Sequence, residues 1–578
     1  MSRKPELTDD EFEEGFKESH SQGALVKFVF ANVEWLDGDR LKAVSEILER
    51  LHNSGEIDTL AEDQWNSCEA VSKNDFFGVQ HLFCEAFPKL SGSHRSMMVA
   101  TQKLVQLGGE DLAANQPNAA FVSWCRRDLS RAMSVIDDAR GGDKLALDHL
   151  TFALTAGNYF DCAVEFLSGK NTKARCSAAA AMGRMDLTQE QIQKAISEII
   201  AAYETCDDPI LVVNLFSAAY AISEKADTFD LAQLRLITEL SSQLQSPNLQ
   251  YQAASALHSN ANKLDRDCIE AITVLLKRVK PEHRGVLDQI DFAIPKMIDA
   301  GFLDIVLELL EHVVIHNSGE ISIGKFNHFI RKVSVENKGY LSEIAARWLL
   351  EGNLYICSGF AESLKEETKL ELNKSDLPLE HDDIIFICRK AVGHFFMKPL
   401  LATSVLLSVI KHSNPKSADE AAKLLFDPLL TSYGGKVREQ LEDFCNENSD
   451  PEKSVIQGVL DQKIAYLDKF EGIEKLVELH PSEKRRQAER ARWQEVMRQS
   501  TKEAHKRYVL LSMVSKQTLL YGVSSLTFIE EDDGSYRQLD TKLGQFSTEF
   551  EYPKMDIIDP VGLKHQLYGY KVEQRSKS

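Results

Sequence analysis

The chain has 578 residues, with 67 basic and 88 acidic side chains and a net charge of −21. A surface this acidic repels polyphosphate, which excludes a chain that wraps nucleic acid along its whole length. With 15 prolines and 30 glycines beside 43% hydrophobic residues, the composition excludes an all-β chain of tight turns and long disordered linkers, and it leaves ample material for a large core.

The ten cysteines occur singly, from Cys68 to Cys445, and no C-x-x-C pair exists. Several sit among alanines and leucines, where a thiol is a small apolar filler. The pattern is that of a reduced, cytoplasmic protein rather than a disulfide framework. The first 14 residues, Met1 to Glu14, carry no apolar core of the kind a signal peptide needs. The longest apolar runs, such as Leu400–Ile410, fall far short of the ~20 residues that span a bilayer, so no membrane segment is expected.

In chain order, residues 1–20 read as an acidic arm. Residues 21–171 read as helices without a clear period, broken at Asp37-Gly-Asp39, Ser91-Gly-Ser93 and Gly141-Gly142. Leu41, Val44, Ile47 and Leu48 line one helix face there.

Residues 172–318 carry the clearest pattern. Cys176–Gly183, Phe216–Ile222, Tyr251–Leu257 and Ile290–Ile294 are small-residue-rich segments spaced roughly 35–40 residues apart. Each is followed by a second amphipathic segment. The expected buried stripes are Ile192, Ile196, Ile199 and Ile200, then Leu236, Leu240 and Leu244, then Ile272, Leu275, Leu276 and Val279, then Val306, Leu309, Leu310 and Val313. In length and in the Ala-rich first helix these units resemble HEAT repeats, although no proline or arginine recurs at a fixed position. The resemblance covers about a quarter of the chain, and it implies an all-α, HEAT-like α-solenoid.

Residues 319–480 continue as a less regular helical region, with Ser342–Leu350 as one more repeat helix and Asn373–Glu380 as a loop. The stretch Cys388–Phe396, with Leu424–Leu430 and Tyr433–Lys436 after it, is similar in texture to large helical accessory proteins of bacterial gene cassettes, defence systems among them. Residues 481–520 read as one long basic helix opened by Pro481. Residues 521–578 read as a small β-containing cap or tail: Val523–Ile529 as a strand, Asp532–Ser535 as a turn, Tyr536–Leu539 as a returning strand and Phe550–Ile558 as a further extended piece.

The chemistry-bearing patterns each have a plainer alternative. Gly319-Glu-Ile-Ser-Ile-Gly-Lys325 has P-loop spacing, but Phe326 stands where a Mg²⁺-holding hydroxyl belongs and no strand precedes it, so a loop between helices is favoured. Glu308, His312 and His316 stack at i, i+4 and i+8, each step about 6 Å along the axis, too far apart for the ends to share one ion. Glu380-His-Asp-Asp383 reads as an acidic helix start rather than a ligand set. Glu367-Thr-Lys369 matches the short element of a nuclease motif without its upstream strand. No catalytic residue, metal ligand or cofactor is therefore assigned, and the chain is read as more likely a binding protein than an enzyme.

The sharpest local feature is the basic segment 484–507. On a helix, Lys484, Arg498, Lys502 and Lys506 share one side with Arg492 on its flank, opposite a stripe of Trp493, Met497, Ser500, Ala504, Tyr508 and Leu511. The stripe is expected to pack and the cations to face solvent. A solvated helix face is the plainer account, and interspersed glutamates dilute the field. The functional account makes Lys484, Arg492, Arg498, Lys502 and Lys506 contacts to a protein partner or to nucleic acid. Trp348 and Trp493 are candidate anchors. The sequence thus points to a non-enzymatic scaffold or adaptor. A nucleic-acid-associated subunit of a bacterial defence or genome-maintenance assembly is the alternative, and an enzyme with an unrecognised site is a second.

Overall fold

Small side chains set the spacing of the central helices. The computed structural model describes residues 7–36, 38–66, 73–108, 115–206, 208–226, 228–336, 338–366, 368–471, 482–507, 524–530, 536–542 and 551–575. Over these residues the protein is all-α, with a single two-stranded hairpin near the C-terminus. The chain divides into two compact units, Met1–Lys338 with Ser358–Ser363, and Gly339–Cys357 with Leu364–Ser578.

In the first unit, residues 172–316 form four helical pairs, whose first helices are Thr172–Arg184, Pro209–Lys225, Pro247–Asn260 and Arg284–Asp299. The second helices are Gln189–Glu204, Leu231–Ser241, Arg266–Leu276 and Leu303–His316. Starts are fixed by side chains that accept the exposed N–H groups of the first turn: Asn171, Thr188, Asp208, Asp230 and Asp265 all cap in this way. Pro209 and Pro247 occupy the first turn, where a missing N–H costs nothing. First helices pack on first helices through Ala178, Ala179, Ala218, Ala219, Ala253, Ala254 and Ala293, all buried. At Gly183 a Cβ would sit 3.2 Å from Ala218 Cα, so the approach there is nearly backbone to backbone.

Side-chain contacts repeat at the same interval. Arg235 pairs with Asp267 at 2.8 Å, Lys225 Nζ donates to Met185 O at 3.2 Å, and Asn317 Nδ2 donates to Val279 O at 3.2 Å. Each joins one helical pair to the next.

Three of the four expected stripes are in the core, with Ile200 half-buried. The second is not. Leu236 and Leu240 face solvent, and Leu234, Ile237, Thr238 and Ser241 are buried instead. Two hydroxyls can occupy core positions because they have partners: Thr238 Oγ1 meets Tyr220 Oη at 2.7 Å and Ser241 Oγ meets Tyr203 Oη at 2.8 Å. A register chosen by hydropathy alone misses such satisfied hydroxyls.

Alternation extends beyond the regular pairs. Asp9–Ser21, Gly38–Asn53, Lys73–Ala86, Asn115–Arg127 and Lys144–Ala156 pack each on the next, and the last packs on Thr172–Arg184. At the other end Arg284–Asp299 packs on Asn327–Arg331. The N-terminal region therefore shares the alternating arrangement, although its sequence shows no period. Its contacts use Phe83, Phe87, Phe121 and Trp124 where the centre uses alanine.

The second unit is centred on Pro399–His412, whose residues Leu401–Ile410 are all buried. A helix apolar on every side belongs in a core. No helix of the described residues is long and apolar enough to cross a membrane. Around it lie His381–Phe395, Pro415–Leu424 and Lys436–Glu447, with Glu452–Glu471 packed on the last two. Trp348, a candidate anchor by sequence, is fully buried, and Cys357 Sγ contacts its carbonyl at 3.2 Å. It is a core residue. Burial raises the Cys357 and Cys388 thiols to about 12, which suits inert packing groups.

The strands Ser524–Glu530 and Tyr536–Lys542 pair antiparallel, Ser524 opposite Lys542 and Glu530 opposite Tyr536. The expected turn at Asp532–Ser535 lies outside the described residues. The expected extended piece 550–558 is instead a short irregular run followed by the helical turn Met555–Ile558, and a further helix, Pro560–Val572, ends the described chain. The helix opened by Pro481 is described over Glu483–Arg507, and residues 508–520 lie outside the described set.

Arg175 is the costliest single group in the regular region. Its buried guanidinium donates to the carbonyls of Leu167, Ala202 and Thr205, at 3.0–3.1 Å, and to Thr205 Oγ1 at 2.9 Å. These carbonyls lie at or just past helix C-termini, which carry partial negative charge. Arg175→Ala strands them, and we expect a loss of about 2–3 kcal/mol. Lys194→Ala removes an exposed pair with Asp161 and is expected to cost less than about 1 kcal/mol. Thermal melts of the two variants beside the unmodified chain check this contrast, and equal midpoints would contradict it.

Candidate functional site

The basic helix is reached by a long excursion whose two ends are held in the second unit. Glu452–Glu471 packs on Pro415–Leu424 and Lys436–Glu447, and the chain leaves from its end. It returns at Glu551, whose carboxylate accepts the N–H groups of Gly435 at 2.6 Å and Lys436 at 3.0 Å. A carboxylate there meets the positive end of the Lys436–Glu447 helix. Lys554 N then donates to Ser432 O at 3.0 Å.

Pro560–Val572 seals the return by docking along His381–Phe395. Arg389 grips Glu573 with two hydrogen bonds, 2.8 and 2.6 Å, which raises the guanidinium further above its usual range. Lys390 Nζ donates to Lys571 O at 2.7 Å, and burial lowers the Lys390 ammonium below its ordinary value. Arg575 pairs with Asp383. Gly393 leaves room for Tyr570, whose Cβ lies 3.0 Å from where a Gly393 Cβ would be. None of these partners is near in sequence, so no local signal announces them.

Between these anchors lies Glu483–Arg507. Every described side chain from Ser482 to Gln499 is exposed. Arg498 is held by Glu495 in two hydrogen bonds of 2.9 and 3.0 Å, which lowers the Glu495 carboxyl below its usual range. Arg486 pairs with Glu483 at 2.7 Å, and Arg485 with Glu489 at 3.5 Å. Lys484, Arg492 and Lys502 form no ion pair with any described residue, and Lys502 is exposed. Lys506 lies in the last turn of the helix.

The apolar stripe departs from expectation. Trp493 is 50% exposed, with Val496 and Met497 comparably open. The one ring that Trp493 meets among the described residues is Tyr552, edge-on, with centroids 5.1 Å apart. Ser500 and Ala504 side chains, and Tyr508 and Leu511 altogether, lie outside the described set. Over Ser482–Gln499 the helix exposes both its cations and the described part of its apolar stripe.

The other sequence candidates are placed as follows. His312 and His316 stack ring on ring, centroids 5.5 Å apart, and both are exposed, as is Glu308. No group of three potential ligands converges on a metal position among the described residues. In Glu380-His-Asp-Asp383, His381 Nδ1 meets Ser417 Oγ at 2.8 Å and Asp383 serves Arg575. The 319–325 loop buries Ile321 and Ile323 and closes in a short 3₁₀ turn. Glu367 lies outside the described residues, and exposed Lys369 lines a cavity of about 600 Å³ with Glu371, Ser404, His412 and Gln440. Its lining mixes acids and bases without a dominant sign.

Two outcomes follow from the clamp. Arg389→Ala leaves Glu573 without its bidentate partner and is expected to speed amide exchange in Pro560–Val572 about tenfold. Unchanged exchange there would show the clamp to be ornamental. His394, on the docked helix, is lowered to about 3 by burial and by Lys571 and Lys390. Its unfolded counterpart titrates near 6.5, so between those values the unfolded chain binds a proton that the folded one refuses, and stability falls as pH drops. Melts should show less acid sensitivity in His394→Leu than in the unmodified chain. No protein-family model matches this chain, and no curated protein is significantly similar to it.

Proposed function

We propose that this protein is a non-enzymatic scaffold or adaptor, built as a HEAT-like α-solenoid, that holds an acidic protein partner on the Glu483–Arg507 helix. The observation that carries this is the simultaneous exposure of cations and of Trp493, Val496 and Met497 on one helix. Helix-in-groove recognition needs both: apolar anchors supply most of the affinity, and charges set register and encounter rate. Lys484, Arg492 and Lys502, which no carboxylate of the described residues pairs with, are the contacts most available to a partner, and Arg498 must first release Glu495.

A second function, binding nucleic acid in a defence or genome-maintenance assembly, is favoured by the same cations. It needs the apolar stripe less, because phosphate contact is electrostatic. Affinity purification from the native host with mass spectrometry separates the two. A protein recovered with the unmodified chain should be lost with Arg498→Glu/Lys502→Glu/Lys506→Glu and also with Trp493→Ala. Nucleic acid that is released by salt and by the triple change, yet retained by Trp493→Ala, would replace the first function with the second. Recovery indifferent to both variants would remove the helix from either.

A further inference from the structure

The C-terminal helix has an outward face that its docking leaves unused. Leu563 and Tyr570 point toward His381–Phe395, and Leu563 is buried. On the opposite side Val561, His565, Tyr568 and Val572 follow one another at intervals of four, three and four residues, the spacing of a coiled-coil seam. Ile557 and Ile558 extend it through the preceding turn. Val561 is 78% exposed and Ile557 74%, with Ile558 and Tyr568 close behind. Such apolar exposure on a helix otherwise anchored by three polar clamps marks an interaction surface.

The flanks identify what would cover it. One flank carries the exposed Lys564 and, a heptad on, the half-buried Lys571, whose stem packs beside Gly393; neither pairs with a carboxylate among the described residues. The other flank carries Gly562, whose N–H the Asp559 carboxylate caps at 2.9 Å, and Gly569, beside which the space is open. A neighbouring helix can therefore approach closely on one side and finds only positive charge on the other. A second copy of this chain supplies little counter-charge: antiparallel pairing sets lysine against lysine, and parallel pairing offers on the glycine flank only Asp559, already engaged by Gly562 N–H. A lipid surface asks for a broad apolar face, and this seam is narrow and interrupted by His565.

We propose that the outward face of Pro560–Val572, with Ile557 and Ile558, docks an acidic amphipathic helix of a partner protein. Apolar residues of that helix would fill the seam, and its carboxylates would meet Lys564 and Lys571. The surface is separate from the Glu483–Arg507 helix and does not depend on the function assigned to that helix.

The test uses the full chain and a fluorescent four-heptad peptide with Leu at the a and d positions and Glu at e and g, whose charge keeps it from pairing with itself. Anisotropy should report binding that weakens at least about tenfold in Val561→Glu/Tyr568→Glu, a change at exposed positions that leaves the melting midpoint in place. Lys564→Glu/Lys571→Glu should lose the acidic peptide and gain one with Lys at e and g. Absent binding, or binding that survives Val561→Glu/Tyr568→Glu, overturns the proposal. Loss confined to Arg498→Glu/Lys502→Glu overturns it too while leaving the basic helix as a docking site. A dimer in sedimentation, or adhesion to anionic vesicles, that Val561→Glu/Tyr568→Glu abolishes would assign the face to a second copy or to lipid instead.

Discussion

An isolated pair of amphipathic helices cannot bury both of its faces, and that constraint governs the first unit. Each pair must borrow a surface from the next. The closest expression is at Gly183, where Ala218 of the following pair stands within 3.2 Å of a would-be Cβ. Once first helices approach that closely, polar groups one pair apart come within reach, and the links Arg235 to Asp267 and Asn317 to Val279 follow from the spacing. Arg235 and Asp267 are thereby occupied with each other across neighbouring helical pairs. The same logic explains Arg175, a buried cation that pairs with no carboxylate of the described residues and is satisfied by carbonyls that the packing brings together at helix ends.

Legibility in the sequence tracked how local the physics was. The central pairs were readable because their small residues recur at one interval. The hairpin was readable because Ser524–Glu530 and Tyr536–Lys542 flank a turn-rich segment. The N-terminal alternation was hidden because phenylalanine and tryptophan fill contacts that alanine fills elsewhere, so the helices pack alike without spelling alike. The Leu231–Ser241 register was misread because Thr238 and Ser241 are apolar in effect, their hydroxyls paid off by two tyrosines. The C-terminal helix was missed for a different reason. Its partners on His381–Phe395 are 181 to 192 residues away, and its own pattern points its most hydrophobic face outward.

At the basic helix, residue type was legible and environment was not. Cations on one side and aromatics on the other imply an amphipathic helix in any setting. A sequence assigns the aromatic side to a core by default, because most such stripes are buried. Here the helix sits in an excursion fastened at Glu551 and at Glu573, and its described side chains from Ser482 to Gln499 are exposed. Trp493 touching Tyr552 is the one described ring contact between the helix and the fastened return.

A net charge of −21 does not cancel such an arm. Exposed charges more than about 8 Å apart are largely screened at physiological salt, so a partner senses the local row and not the total. Lys502 lies one helical turn from Arg498, about 6 Å along the axis, within that distance. Arg498 is already engaged by Glu495, and Lys484 and Arg492 lie beyond that distance from Lys502, so the cations do not add into one dense row. Weak, partly self-neutralised charge suits registration of a partner held mainly by apolar contact. It suits phosphate binding poorly, since each paired arginine would have to surrender its glutamate before it could displace a counterion. The exposed tryptophan is therefore the side chain on which the choice between protein and nucleic acid turns.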